Sequence, residues 1–192
     1  MYCIYHLEHP FFEQFKIQAE PWPWQKDPAE WNTVLKKSLA MVAFNNIFTL
    51  PFMIFLNIYF NNYEVMMSFE IEKLPDAKTL FTNIVFMMLL EDLGLHCAHK
   101  FFHIKWIYPY FHKMHHNYHT PVSVCGEYLH PIDFAVGSVI PAGIGAMILG
   151  KRLHFFTFLV YGIVRVGETG DAHSGYEFPW SPWRILPFST SA

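Results

Sequence analysis

The run SLAMVAFNNIFTLPFMIFLNIYF, residues 38–60, holds no charged side chain. A helix needs about 20 residues to cross a hydrocarbon core about 30 Å thick, and this run is long enough to do so. It is too long and too apolar to read as the buried core of a soluble domain. Asn45, Asn46 and Pro51 are tolerable inside it when the helix packs against others. The whole chain has the same character: 53% of its 192 residues are hydrophobic and 15% are charged, against about 25% charged in an ordinary soluble domain. The net charge of −3 gives no electrostatic basis for binding nucleic acid. Cys3, Cys97 and Cys125 are an odd number without a CxxC, which indicates neither a disulfide framework nor a cysteine zinc site. The N-terminal MYCIYHLEHPFF lacks the basic start and apolar stretch of a signal peptide.

Three more apolar segments follow, at 79–98, 132–149 and 153–168, the last short and interrupted by Arg165. The expected fold is an all-α membrane protein of about four transmembrane or membrane-embedded helices with a cytosolic histidine-rich cap. Orientation comes from lysines. Lys36 and Lys37 flank the first segment and Lys100, Lys105 and Lys113 follow the second, which places both points in the cytosol by the positive-inside rule. Lys151-Arg152, at the tip of the second hairpin, fits that rule poorly. Residues 1–35, broken by Pro21, Pro23 and Pro28, read as a mostly irregular membrane-proximal arm with room for a short helix. Residues 36–192 read as one membrane domain without internal repeats.

Histidine is concentrated after the second segment. FHKMHHNYH, Phe111–His119, contains four histidines in nine residues. His112, His115 and His116 have the spacing HxxHH, and on a helix positions i, i+3 and i+4 share a face. Upstream, Asp92, His96, His99 and His103 are spaced four, three and four apart and form one stripe. Neutral imidazole suits iron, zinc and copper, and a carboxylate beside a metal-bound histidine fixes its tautomer. Ionisable groups at the end of a membrane segment are costly and tend to be functional. His130 in GEYLHP and His173 in ETGDAHSGY are further candidates. A pH sensor is another use for clustered histidines, and each one alone reads as a surface or satisfied polar residue. His6, His9 and His154 have no such setting, and His119 is equivocal.

The run EDLGLHCAHKFFHIKWIYPYFHKMHHNYHTPVSVCGEYLHP, with ETGDAHSGYEFP further on, resembles the membrane-bound fatty acid hydroxylase superfamily over about residues 80–188. Within it, the sterol C4-methyl oxidases are the most similar branch. The resemblance implies an endoplasmic reticulum multi-pass membrane protein that holds two irons. Its metal ligands would come from His96, His99, His103, His112, His115, His116, His130 and His173, with Asp92, Glu127 and Asp171 behind them. Electrons would arrive from NAD(P)H through cytochrome b5 and its reductase, and O2 would oxidise a sterol C4-methyl group stepwise. His99, His112, His115 and His116 would then converge on one metal volume, with His173 approaching from the end of the fourth segment. Trp106, Tyr108, Tyr110 and Phe111 read as a lining for the substrate or as interfacial anchors.

The sequence departs from the family pattern twice. The first box, HxxxH ending at His99, should begin at position 95, which is Leu95; His96 is displaced by one residue, and His99 with His103 also satisfies the spacing. The family's last HxxHH, expected soon after ETGDAHSGY, does not occur before Ala192. The expectation is therefore a chain with its C-terminal part missing and with little activity alone. Three classes of function stay open: an oxidoreductase, acting on sterols or, like the superfamily's fatty acid and sphingolipid hydroxylases and sterol desaturases, on another lipid; a non-catalytic membrane protein derived from the family; and a bis-histidine haem protein. The last needs only two facing histidines and leaves the dense clusters unexplained.

Overall fold

Helices follow the apolar segments, and their ends follow capping chemistry. The computed structural model describes residues 2–62, 64–118 and 120–185; His119 lies outside them. Among the described residues the chain is helical, with two isolated β-bridges. Four long helices are named here: α1 Pro28–Phe60, α2 Ala77–Phe102, α3 Pro131–Arg152 and α4 Phe155–Ala172.

α1 begins ten residues before the apolar run it contains. Asp27 and Pro28 explain the early start: the Asp27 carboxylate accepts the N–H groups of Ala29 and Glu30 at 3.0 and 2.9 Å. Asp is a favoured N-cap and Pro a favoured first helical residue. α2 is capped in the same way by Asp76, which accepts from the Thr79 N–H at 2.7 Å.

Among the described residues, three helices are long and apolar enough to cross a membrane: α1, α2 and α3. The expected fourth segment is helical, but Arg165, Glu168 and Asp171 fall in its second half and lower its apolarity. The three candidate spans carry large apolar side chains on the outside, among them Phe52 and Phe60 on α1, Phe81 and Leu93 on α2 and Ile148 on α3. Water would not tolerate apolar surface on that scale, and lipid does.

The chain divides into two compact units. One comprises residues 43–113 and 130–165; the other comprises residues 1–42, 114–129 and 166–192. In the first unit, α2 and α3 pack through small residues. A Cβ at Gly145 would lie 2.7 Å from Met87 Cγ, and one at Gly94 would lie 3.1 Å from Pro141 Cβ. In lipid, such close backbone approach is the main source of helix association. At the far end of this unit, the loop after α1 is tied to the loop before α4. Ser68 N–H donates to the Leu153 carbonyl and Phe155 N–H to the Ser68 carbonyl, both at 2.9 Å. Lys151 pairs with Glu64 there at 3.0 Å, so part of the basic tip that fits the positive-inside rule poorly is neutralised. α4 starts from this end, and Tyr161 and Arg165 on it both donate to the Glu91 carboxylate on α2.

The second unit is built on aromatic residues. Tyr5, Trp22, Val122, Tyr176 and Phe178 form its buried core. The Trp22 and Trp24 rings stack at 5.2 Å, and the Tyr5 hydroxyl donates to the Ser174 carbonyl at 2.8 Å. The N-terminal residues, expected to be mostly irregular, hold short helices at Tyr2–Leu7, Pro10–Glu13 and Pro23–Lys26 ahead of α1. Of the three expected breakers, Pro23 and Pro28 open helices instead, as Pro10 does, at a first helical position where the missing N–H is no loss. Gly175, at φ +74°, allows the close turn of the core; a Cβ there would sit 2.7 Å from the Pro121 carbonyl oxygen.

Candidate metal centre

α2 continues past its apolar stretch and ends at Phe102, with His103 as its C-cap. Helical spacing puts His99 and His103 one turn apart, and their Nε2 atoms lie 3.0 Å from each other. The next short helix, Tyr108–Phe111, ends at His112. The His112 ring meets those of His99 and His103 at 4.7 and 4.9 Å. One ring nitrogen from each of the three lies within 4.8 Å of the others, a group that can hold a metal ion.

The surroundings favour neutral rings with fixed orientation. His112 is buried, and its Nδ1 is 2.7 Å from Asp133 Oδ2. An ionised carboxylate only accepts, so the ring donates its Nδ1–H. Phe102 lies nearly parallel to the His112 ring, 5.8 Å away at 13°. Desolvation, and then His112 beside it, hold the His103 imidazole below the usual histidine range, against an opposite pull from Asp133. Desolvation does the same to His130, again opposed by Asp133. Neutral imidazole is the ligating form, so three nitrogens and a supporting carboxylate fit a first-row metal such as iron.

A second histidine group lies in the other unit. The His115 ring is 5.3 Å from that of His116 and 5.7 Å from that of His173. His173 Nδ1 donates to the Thr169 carbonyl at 3.0 Å, which leaves the ring lone pair on Nε2. A Cβ at Gly126 would sit 2.8 Å from His173 Nδ1, so only glycine fits against this ring.

HxxHH does not present one helical face. The helix stops at Phe111, and His115–Asn117 forms a separate 3-10 turn with His116 at a non-helical φ/ψ of −85°, 15°. Leu95 is no obstacle, because His99 and His103 are brought together; His96 is exposed. His130 caps α3 by accepting the Ile132 N–H at 3.2 Å and packs on Phe111 at 5.3 Å.

Of the expected supporting acids, Asp171 accepts from Ser181 at 2.7 Å. Asp92 is half-buried on α2, and Glu127 closes the turn Ser123–Glu127. A carboxylate outside the expected set, that of Asp133, lies against a clustered histidine. Its signal was its place, three residues after His130 in HPID, where an acid at a helix start is ordinary capping chemistry. Trp106 and Tyr110 are 79% and 75% exposed, while Tyr108, 5.5 Å from His103, and Phe111, 5.3 Å from His130, border histidines. His154 is an ordinary satisfied residue, accepting the Phe156 N–H at 3.0 Å with Nδ1 while Nε2 lies 3.2 Å from the Glu70 carbonyl oxygen.

Comparison with known proteins places this arrangement. The fatty acid hydroxylase family matches residues 84–191. C-4 methylsterol oxidase of Candida albicans is 32% identical over 188 residues, covering 95% of this chain and 57% of that protein. Methylsterol monooxygenase 2-1 of Arabidopsis thaliana is 38% identical over 117 residues, covering 59% and 41%. Very-long-chain aldehyde decarbonylase GL1-11 of Oryza sativa subsp. indica is also 38% identical over 117 residues, covering 59% and 42%. The chain thus spans about half the length of the curated relatives it matches. No solved structure matches it. With a family match that runs through α2, both histidine groups and α4, the chain belongs to the fatty acid hydroxylase family.

Proposed function

We propose that the chain is the histidine-bearing part of a di-iron, O2-dependent oxidase of the C4-methyl group of sterols, in the endoplasmic reticulum membrane. The observation that carries this reading is the His99–His103–His112 group, backed by Asp133, at the end of a candidate membrane span. The names of the methylsterol relatives support the substrate class. The metal ligands proposed are His99, His103 and His112 in one group and His115, His116 and His173 in the other, with His130 beside the first. Iron held there would supply the redox chemistry with O2 that an unactivated methyl C–H bond requires, with electrons from NAD(P)H through cytochrome b5 and its reductase.

The chain's own residues have definable parts in this. His99 and His103 hold two Nε2 atoms at a separation that leaves room for one proton or one metal between them. The depressed basicity of His103 favours the deprotonated nitrogen. Phe102 covers one face of His112 and keeps water from it. The lipid-facing apolar surface of α1, α2 and α3 lets a hydrophobic sterol approach through the bilayer rather than through water.

The test is iron analysis of the purified chain, followed by turnover of a 4,4-dimethylsterol with cytochrome b5, its reductase and NAD(P)H. Retained iron with oxidation of the C4-methyl supports the proposal. Iron-dependent consumption of a long-chain aldehyde in place of the sterol would move the substrate toward the decarbonylase relative. A chain that retains no iron, with no change on mutating His99 or His103, would overturn the metal reading.

A further inference from the structure

Asp133 is the third residue of α3, and just beyond it α3 departs from α-helical form. Pro131–Asp133 makes the first turn, and Phe134–Val139 is a π-helical turn. This irregular start brings the carboxylate to His112, with side chains 4% and 3% exposed and Oδ2 at 2.7 Å from Nδ1. Room for it comes from Gly137, where a Cβ would come within 2.9 Å of Asp133 Oδ1. The pair is thus enclosed by α2, α3 and the short helix before His112. A buried carboxylate without a partner is costly, and a charge-assisted bond of this length offsets that cost.

We propose that Asp133 is the positioning residue of the metal centre: by accepting Nδ1–H it fixes His112 in the tautomer whose lone pair is on Nε2, and holds that ring against His99 and His103. The proposal rests on the metal reading above. It assigns to α3, which carries none of the clustered histidines, the task of orienting one of them. The expected size of the effect is that of losing a carboxylate behind a ligating histidine, about 10–100-fold in metal affinity. Asp133→Asn keeps the shape but not the charge, and its amide can turn to donate to Nδ1, which would move the ring proton to Nε2.

Two measurements test this on the full chain in detergent. The first is titration with Co2+ under anaerobic conditions, read by ligand-field absorption, for the wild type, D133N, D133E and H112A. Weaker binding in D133N by about 10–100-fold with an altered spectrum, partly recovered in D133E, supports the proposal. D133N that binds and absorbs like the wild type, while H112A does not, overturns it and leaves the metal reading standing. A wild type that binds no Co2+ overturns both. The second is the 15N shift pattern of the histidines in metal-free wild type, which does not depend on the variants folding. A proton on His112 Nδ1 supports the assignment, and one on Nε2 alone overturns it.

Discussion

Arg165→Met tests the energetics of the helix bundle. Glu91 is on α2 within a candidate span, and its side chain is 4% exposed. Arg165 Nε and the Tyr161 hydroxyl both donate to it from α4, with the Arg165 side chain 20% exposed. Removing the arginine leaves an uncompensated carboxylate in a water-poor setting. Breaking a buried pair in this way costs about 3–5 kcal/mol. Translocon scales give a similar size, about 2.5–3.5 kcal/mol, for an ionised group at the centre of a span. The partial exposure of Arg165 argues for the low end, so about 3 kcal/mol is expected. Tyr161→Phe removes one hydrogen bond to a charged group and should cost about 1.5–3 kcal/mol. The double variant Glu91→Leu with Arg165→Met removes the charge with its partner and should stay within about 1 kcal/mol of the wild type. The assay is equilibrium unfolding in mixed detergent–SDS micelles, arranged as a double-mutant cycle. Strictly additive losses in the cycle, or a cost for Arg165→Met below about 1 kcal/mol, would show that the pair is solvated and would refute the reasoning.

Gly145→Val should destabilise the α2–α3 contact by about 1–3 kcal/mol, because a Cβ already meets both the side chain and the Cα of Met87; the same unfolding assay checks it, and an unchanged midpoint would contradict it. Burial raises the Cys125 thiol from 9.0 to about 11, so at pH 8 its thiolate is about 100-fold scarcer than that of an ordinary cysteine. Maleimide should then label exposed Cys3 and Cys97 and spare Cys125, with labelling of Cys125 rising as pH approaches 11 from below; equal labelling of all three in folded protein would count against the structure. Glycosylation acceptors placed in the loop 64–76 should be modified and one placed at Lys105 should not. The reverse pattern would put the end of α2 in the lumen and sink the proposed orientation.

The long helices were legible because composition alone forces them: a charge-free run such as 38–60 has few other fates. The start of α1 was not read because the Asp27-Pro28 cap lies among prolines that look like breakers. α4 was foreseen as helical but not its partner; nothing local to Arg165 says that Glu91, 74 positions earlier, will neutralise it. His99 and His103 were legible as a pair because helix spacing fixes them. The break within HxxHH was not, because that spacing shows no sign of the helix stopping at Phe111. Asp133 was hidden for a related reason. Its contact with His112 depends on how α3 enters the bundle, which is a tertiary matter, and its local pattern is that of a helix start.

The π-helical turn at Phe134–Val139 bears on how this sequence can change. A π turn amounts to one residue inserted into an α-helix, and a one-residue shift turns everything beyond it by about 100°. Asp133 lies on one side of this turn, while Pro141 and Gly145, which seat α3 on α2, lie beyond it. Deleting any one residue of the turn would give a more regular helix and lose no apolar length. It would also rotate the acid away from His112, or the small residues away from α2. Length variation within a membrane helix is therefore not neutral here. Between Asp133 and Pro141, descent with function intact should favour exchanges of one side chain for another over gains or losses of a single codon.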